Sequence, residues 1–201
     1  MIETLKSGGI WMIPIIACAV IATFIVIERC IYFSTVKRRD KKLMKNVRSD
    51  FAKQNFDAVV ADCKIASTPT AMVIEKAVEC RNLSEESLKD AVQTQMDIVV
   101  PKYEHLLAAL ATIANISTLL GLLGTVTGNI RAFSVLSGGS SDPAALAGAI
   151  AEALVTTAAG LIVSIPSIVF HSVFVSRVNH RISQMEADVT EVIFKLTGKK
   201  L

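Results

Sequence analysis

Three stretches of this 201-residue chain carry almost no charge: residues 10–27, 106–130 and 153–176, the last interrupted only by His171. Hydrocarbon leaves no partner for an unpaired backbone N–H or C=O, so a long uncharged run in lipid is restricted to a helix that bonds to itself. At about 1.5 Å of rise per residue, each run can cross a hydrocarbon core of roughly 30 Å, the first only just. The chain therefore reads as an all-α membrane protein with three transmembrane helices. Composition agrees, since 52% of the residues are apolar and 19% charged, which is rich for a soluble domain.

The charges are distributed unevenly. Residues 29–48 hold eight basic side chains, from Arg29 through Lys37, Arg38 and Arg39 to Arg48, against the single acid Asp40. Residues 132–152 contain no Lys or Arg, whereas Arg177, Arg181, Lys195, Lys199 and Lys200 follow the third run. Basic loops stay on the cytoplasmic side, which places the N-terminus outside and both the central region and the tail inside. The predicted order is an outer N-terminus (1–9), a first span (10–28), a cytoplasmic helical region (29–105), a second span (106–133), an outer loop (134–143), a third span (144–176) and a cytoplasmic helical tail (177–201). The first apolar run has no small-residue cleavage site after it and continues into Glu28-Arg29, so a retained helix is expected in place of a cleaved signal. The basic cluster adjoins a membrane helix and lacks interleaved aromatics, which favours lipid headgroups over nucleic acid. Cys18, Cys30, Cys63 and Cys80 form no CxxC pair, so neither a zinc site nor a disulfide framework is expected.

Local signals predict helices throughout. Trp11 and Tyr32-Phe33 bracket the first span as interfacial aromatics do. Phe56, Val59, Val60 and Cys63 recur at helical spacing. Ser67-Thr68-Pro69 is a start signal with proline in the first turn, and Ser84-Glu85-Glu86 is an N-cap followed by acids. No glycine intervenes between Ser84 and Gly121, which predicts one long helix rising into the second span, bent at Pro101. Residues 137–142 form the outer loop, Asp142-Pro143 opens the third span, and Val178, Ile182, Met185, Val189, Ile193 and Leu196 continue it as a helical tail.

Within the second and third runs, small and hydroxyl residues stand where lipid would favour Leu or Ile. On a helical wheel Glu152, Thr156, Gly160, Ser164, Ser167 and His171 fall within an arc of about 120°, with Thr157 at its border and bulky apolar residues opposite. Thr118, Gly121, Thr125 and Gly128 share one side of the second run, with Gly124 beside them. Small residues let helix backbones approach and hydroxyls bond across helices, so packing explains the glycines and is compatible with a lined cavity for the threonines. A carboxylate at or near hydrocarbon is expensive and marks a functional site; Glu152 reads either as the ion-coupled group or as the structural partner of Arg131. One monomer offers only two such polar faces, so oligomerisation is the expected way to bury the seam. The chain shows no metal-ligand cluster, no HExxH, no phosphate-binding glycine loop and no second intramembrane carboxylate, and no cofactor is expected. A passive scaffold, or an intramembrane hydrolase pairing Ser164 or Ser167 with His171, are the competing readings.

Leu119 to Gly128, the block from Ile150-Ala151-Glu152-Ala153-Leu154 through Gly160-Leu161 to Ile165-Pro166, and Glu28-Arg29 resemble the MotA/TolQ/ExbB proton channel family, specifically its three-span ExbB/TolQ branch. The resemblance implies a homopentamer in the bacterial inner membrane, N-terminus periplasmic, whose second and third helices line a pore. It implies a dimer of single-span ExbD- or TolR-like partners in that pore and a TonB- or TolA-like transducer; the lack of a nucleophile–base pair or metal-ligand cluster in the sequence already leads to no expectation of enzymatic activity. By position, Glu152 is the family's third-span carboxylate and Thr125 and Thr157 its pore-facing hydroxyls. ExbB-like support of TonB-dependent transport is the expectation, with a TolQ-like envelope role as the alternative and proton preferred to sodium. The chain departs from the pattern at Ser117-Thr118, where Ala-Pro is common, and at Asn115 and Asn129.

Overall fold

The computed structural model describes residues 9–137 and 142–197, so residues 138–141 of the expected outer loop fall outside them. Among the described residues six helices follow one another: α1 (Met12–Ala52), α2 (Phe56–Ala66), α3 (Pro69–Glu79), α4 (Glu85–Glu104), α5 (Leu107–Ser137) and α6 (Pro143–Leu196). There is no strand among the described residues. Three segments are helical, long and apolar enough to cross a membrane: α1, the α4–α5 segment and α6.

The helix starts obey local chemistry. Thr68 Oγ1 accepts from the Ala71 N–H at 3.2 Å with Pro69 in the first turn of α3. Ser84 Oγ accepts from Ser87 N at 3.3 Å to cap α4, and Asp142 Oδ1 accepts from Ala144 N at 3.0 Å ahead of Pro143. Each satisfies an orphan donor of a first turn. Asn55 caps α2 in the same way, its Oδ1 taking Ala58 N at 3.2 Å.

The expected continuous helix from Ser84 to the second span is interrupted. Pro101 stays inside α4, and the chain breaks four residues later, where His105 leaves helical geometry and Leu106 takes φ 65°. A helix end leaves carbonyls without donors; here Arg29 Nη1, on a side chain only 2% exposed, reaches the Tyr103 carbonyl at 3.5 Å. The Arg29 guanidinium also lies 4.6 Å from the centre of the Tyr32 ring.

The residues divide into two compact units. One comprises Met1–Glu28 and Leu106–Val173, and so draws on α1, α5 and α6. Its α1 buries Met12, Ile15, Ala22 and Ile25 and leaves Ile13, Val20, Phe24 and Ile27 exposed. Only 22–28% of the most apolar window of each spanning segment is covered by protein, so most of that apolar surface is left for lipid or other subunits.

The other unit comprises Arg29–His105 and Phe174–Leu201. Large side chains fill its core. Leu88, Val92, Met96, Val99 and Tyr103 form the buried stripe of α4, and Val73, Ile74, Ala77 and Val78 of α3 are wholly covered. Phe33, read from the sequence as an interfacial aromatic, is buried, its ring 5.8 Å from that of Phe174. The α6 positions Val178, Met185 and Val189 are buried as their spacing predicts.

Candidate functional site

Within the first unit, α5 and α6 meet along two stripes of small residues. On α5 the stripe is Ala114, Ser117, Gly121, Gly124, Gly128 and Ala132; on α6 it is Ala149, Ala153, Thr156, Gly160, Ser164 and Ser167, and every one of these is buried. Steps of three and four residues keep each stripe on one face. The two backbones approach most closely at Gly160 and Gly121. A Cβ added to Gly160 would stand 2.6 Å from the Ser117 carbonyl oxygen, and one on Gly121 would stand 3.3 Å from Thr157 Cα. Gly124 faces the Thr156 side chain and Gly128 faces Ala153.

Hydroxyls cross this interface from Thr157 and Thr118. Thr157 Oγ1 donates to the Gly121 carbonyl at 2.7 Å, and Thr118 Oγ1 donates to Ser164 Oγ at 2.7 Å. The remaining hydroxyls turn back on their own helices: Ser117 to Ile113, Thr125 to Leu122, Thr156 to Glu152 and Ser167 to Val163, at 2.6–2.7 Å. Ser167 thus directs its proton to a main-chain carbonyl, which gives no support to a serine–histidine pair with His171.

Glu152 lies on α6 one turn before Thr156, its side chain 21% exposed, and forms an ion pair with Arg131 of α5. Gly9 packs against the same carboxylate with φ +63°; a Cβ there would overlap the Glu152 side chain, so glycine is needed for both conformation and room. The indole N–H of Trp11 donates to Thr127 Oγ1 at 3.0 Å. The sequence marks Trp11 only as an interfacial aromatic and gives no signal at Gly9, because nothing in a linear pattern ties an N-terminal segment to residues more than a hundred positions away.

The structure separates the candidate residues into two groups. Gly121, Gly124, Gly128, Thr156, Gly160 and Ser164 are buried between α5 and α6, whereas Thr125 and Thr157 are half-buried and Thr118 is exposed. The two helices of a single chain bury the seam's glycines against each other and leave Thr118, Thr125 and Thr157 wholly or partly uncovered. The wheel of the second run groups Thr118 and Thr125 with the glycines and misses Ala114, Ser117 and Ala132; a search for small residues at three- and four-residue steps finds the true face. Much of what remains uncovered is apolar, including Leu119, Leu122, Val126, Leu154, Ile162 and Ile165. Among the described residues no group of His, Cys, Asp and Glu is arranged to hold a metal.

Comparison with known proteins sets this arrangement in context. Residues 65–187 match the family model described as the MotA/TolQ/ExbB proton channel family. The chain is 30% identical over 171 residues to a putative biopolymer transport protein, ExbB-like 3, of Synechocystis, covering 84% of this chain and 81% of that protein. It is 26% identical over 199 residues to a putative ExbB homologue of Methanothermobacter thermautotrophicus, covering 98% and 69%. Over 108 residues it is 34% identical to the Tol-Pal system protein TolQ of Haemophilus influenzae, covering 53% and 46%. With three spanning segments and a family match across most of its length, the chain belongs to the MotA/TolQ/ExbB proton channel family and is a multi-pass protein of the bacterial inner membrane.

Proposed function

We propose that this chain is the ExbB-like subunit of a proton-motive-force-driven motor that energises TonB-dependent transport across the outer membrane. The single observation that carries the reading is Glu152, a carboxylate held against Arg131 beside a seam of hydroxyls that runs down two apolar helices. An ionisable group beside apolar membrane helices is expensive to keep and marks a functional site. Thr125 and Thr157 each commit their hydroxyl proton to a main-chain carbonyl. Their oxygens therefore present lone pairs, suited to accept from a water or a protonated carboxyl on a partner helix.

In this reading Glu152 supplies the ion-binding charge and Arg131 the counter-charge that holds it between events. The uncovered apolar faces of α5 and α6 serve assembly into a homopentamer around an ExbD-like single-span dimer, with the N-terminus periplasmic and the second unit cytoplasmic. The likeness to a TolQ over about half of the chain supports a TolQ-like envelope role as the second reading.

Growth of a deletion strain on iron chelates, run beside growth on detergent, separates these roles. Loss of chelate-dependent growth alone supports the ExbB-like role, and detergent sensitivity alone supports the TolQ-like one. Glu152→Gln at normal membrane abundance is expected to fail to complement. Full complementation by Glu152→Gln, Thr125→Ala and Thr157→Val would leave only a passive scaffold.

A further inference from the structure

The second unit contains a pocket that the motor reading does not use. It has a volume of about 450 Å³ and lies between α1 and α6, lined by Lys37, Arg177, His180 and Arg181 and by Ser34 and Ser176, with Phe33 beside them. No carboxylate among the described residues lines it. Asp40 and Asp188 act electrostatically on Arg181, so at least one of the cations is already partly balanced; Lys37 and Arg177 complete the excess. The Gln184 side chain orients two of the lining groups: its Oε1 accepts from Arg181 Nη1 at 2.9 Å and its amide nitrogen faces His180 Nε2 at 3.0 Å. The Arg177 guanidinium is placed 5.9 Å from the Phe174 ring centre.

The position of the pocket along the chain defines its ligand. Ser176 closes the 24-residue apolar run of α6 and Arg177 is the first charge after it, so the pocket opens where this helix leaves hydrocarbon. Three permanent cations and two serines around a space of ligand size suit a group that carries one diffuse negative charge and several acceptor oxygens. At this depth the abundant group of that kind is the phosphate diester of an anionic phospholipid, and basic pockets between helices at a membrane surface bind such headgroups. We propose that this pocket is a specific site for an anionic phospholipid headgroup, with Arg177 and Lys37 as the main phosphate contacts. The site is independent of whether the chain drives TonB- or TolA-like transport.

The test is native mass spectrometry of the full-length protein in mild detergent, supplied with equal amounts of phosphatidylglycerol and phosphatidylcholine. Wild type is expected to retain phosphatidylglycerol preferentially through delipidation. Arg177→Gln with Lys37→Gln should lower that retention at least tenfold, while Arg177→Lys keeps most of it and Lys64→Gln, which lies outside the pocket, changes nothing. Both altered side chains are exposed, and an unchanged melting temperature in phosphatidylcholine confirms that the double variant folds. Equal retention of the two lipids by wild type, or unchanged retention by the double variant, overturns the proposal. So does competition in which millimolar inorganic phosphate displaces the lipid from wild type, since that would make free phosphate the ligand. A shift in oligomer distribution on Arg177→Gln with lipid content unchanged would assign the pocket to a second copy of the chain, and also overturns it.

Discussion

In the unit formed by Met1–Glu28 and Leu106–Val173, α5 and α6 touch through glycine, alanine and hydroxyls. In the unit formed by Arg29–His105 and Phe174–Leu201, helices touch through Val, Ile, Leu, Met and aromatic rings. The difference follows from solvent. Water drives large apolar side chains into a core, so α3 and α4 bury Ile74, Val78, Leu88 and Val99. Lipid is as apolar as leucine and gives no such drive, so helices associate by close backbone approach and interhelical hydrogen bonds. The large residues of α5 and α6 consequently point away from their interface, and the small ones make it.

The sharpest way to break this contrast is to place a side chain where the membrane unit needs none. Gly160→Leu would force α6 away from the Ser117 carbonyl, and is expected to destabilise by about 3 kcal/mol or more, seen as loss of folded protein by thermal unfolding in detergent. At Gly148 an added Cβ would meet nothing within 4 Å; Gly148→Ala should therefore be neutral or stabilising by up to about 1 kcal/mol. Equal damage from both would refute close backbone packing as the source of stability.

The complementary substitution in the other unit removes bulk. Ile74 is fully buried, and Ile74→Ala should lower stability by about 2–5 kcal/mol through lost burial and a residual cavity. A melting curve unchanged by that substitution would deny the unit a conventional core.

A smaller effect concerns Asp40. Burial raises its carboxyl above the ordinary 3.8, opposed by hydrogen bonds from Thr68 and Thr70. Thr70 donates to Asp40 Oδ2 at 3.2 Å, and Oδ1 has no partner among the described residues. A folded state with the raised value binds the proton more tightly than the unfolded chain, so this group's contribution to stability falls as pH rises through the raised value. Asp40→Asn should thus gain on wild type as pH rises from the ordinary carboxylate range towards neutrality, measured as the difference in melting temperature; a difference flat across that range would contradict the effect of burial. Cys63, whose thiol is pushed up to about 12 chiefly by burial, should likewise resist alkylation at mildly alkaline pH until the unit unfolds.

The smallest expected effect is on the surface. Arg48 and Glu191 make a bidentate pair, the shorter contact 2.8 Å, with the arginine side chain 56% exposed. Glu191→Gln should lower stability by no more than about 1 kcal/mol, and less in high salt. A larger, salt-independent loss would show that this pair does more than decorate the surface.

Much of this is legible in the linear chain because it is local. Spans follow from uninterrupted apolar runs, and the starts at Thr68-Pro69, Ser84 and Asp142-Pro143 follow from side chains that bond within their own first turn. Glu152 is conspicuous as a lone carboxylate in apolar surroundings, and Arg131, its alternative partner on the sequence reading, is the one the structure shows. Periodicity alone puts Thr118 and Thr125 in the seam, since a wheel reports which residues share a side but not which side meets a neighbour.

Tertiary structure alone decided the rest. The break at Leu106 has no glycine or proline at it; it coincides with the boundary between the two units and with a main-chain carbonyl taken by Arg29, 74 positions earlier. Phe33 enters a core because Phe174 lies beside it. The headgroup-sized pocket exists only because Lys37 and Arg177, far apart in sequence, line the same space. Sequence settles what each segment can do by itself, through hydrogen bonds and burial along one helix. Which faces meet depends on the fit between helices distant in the chain, and that is a property of the fold.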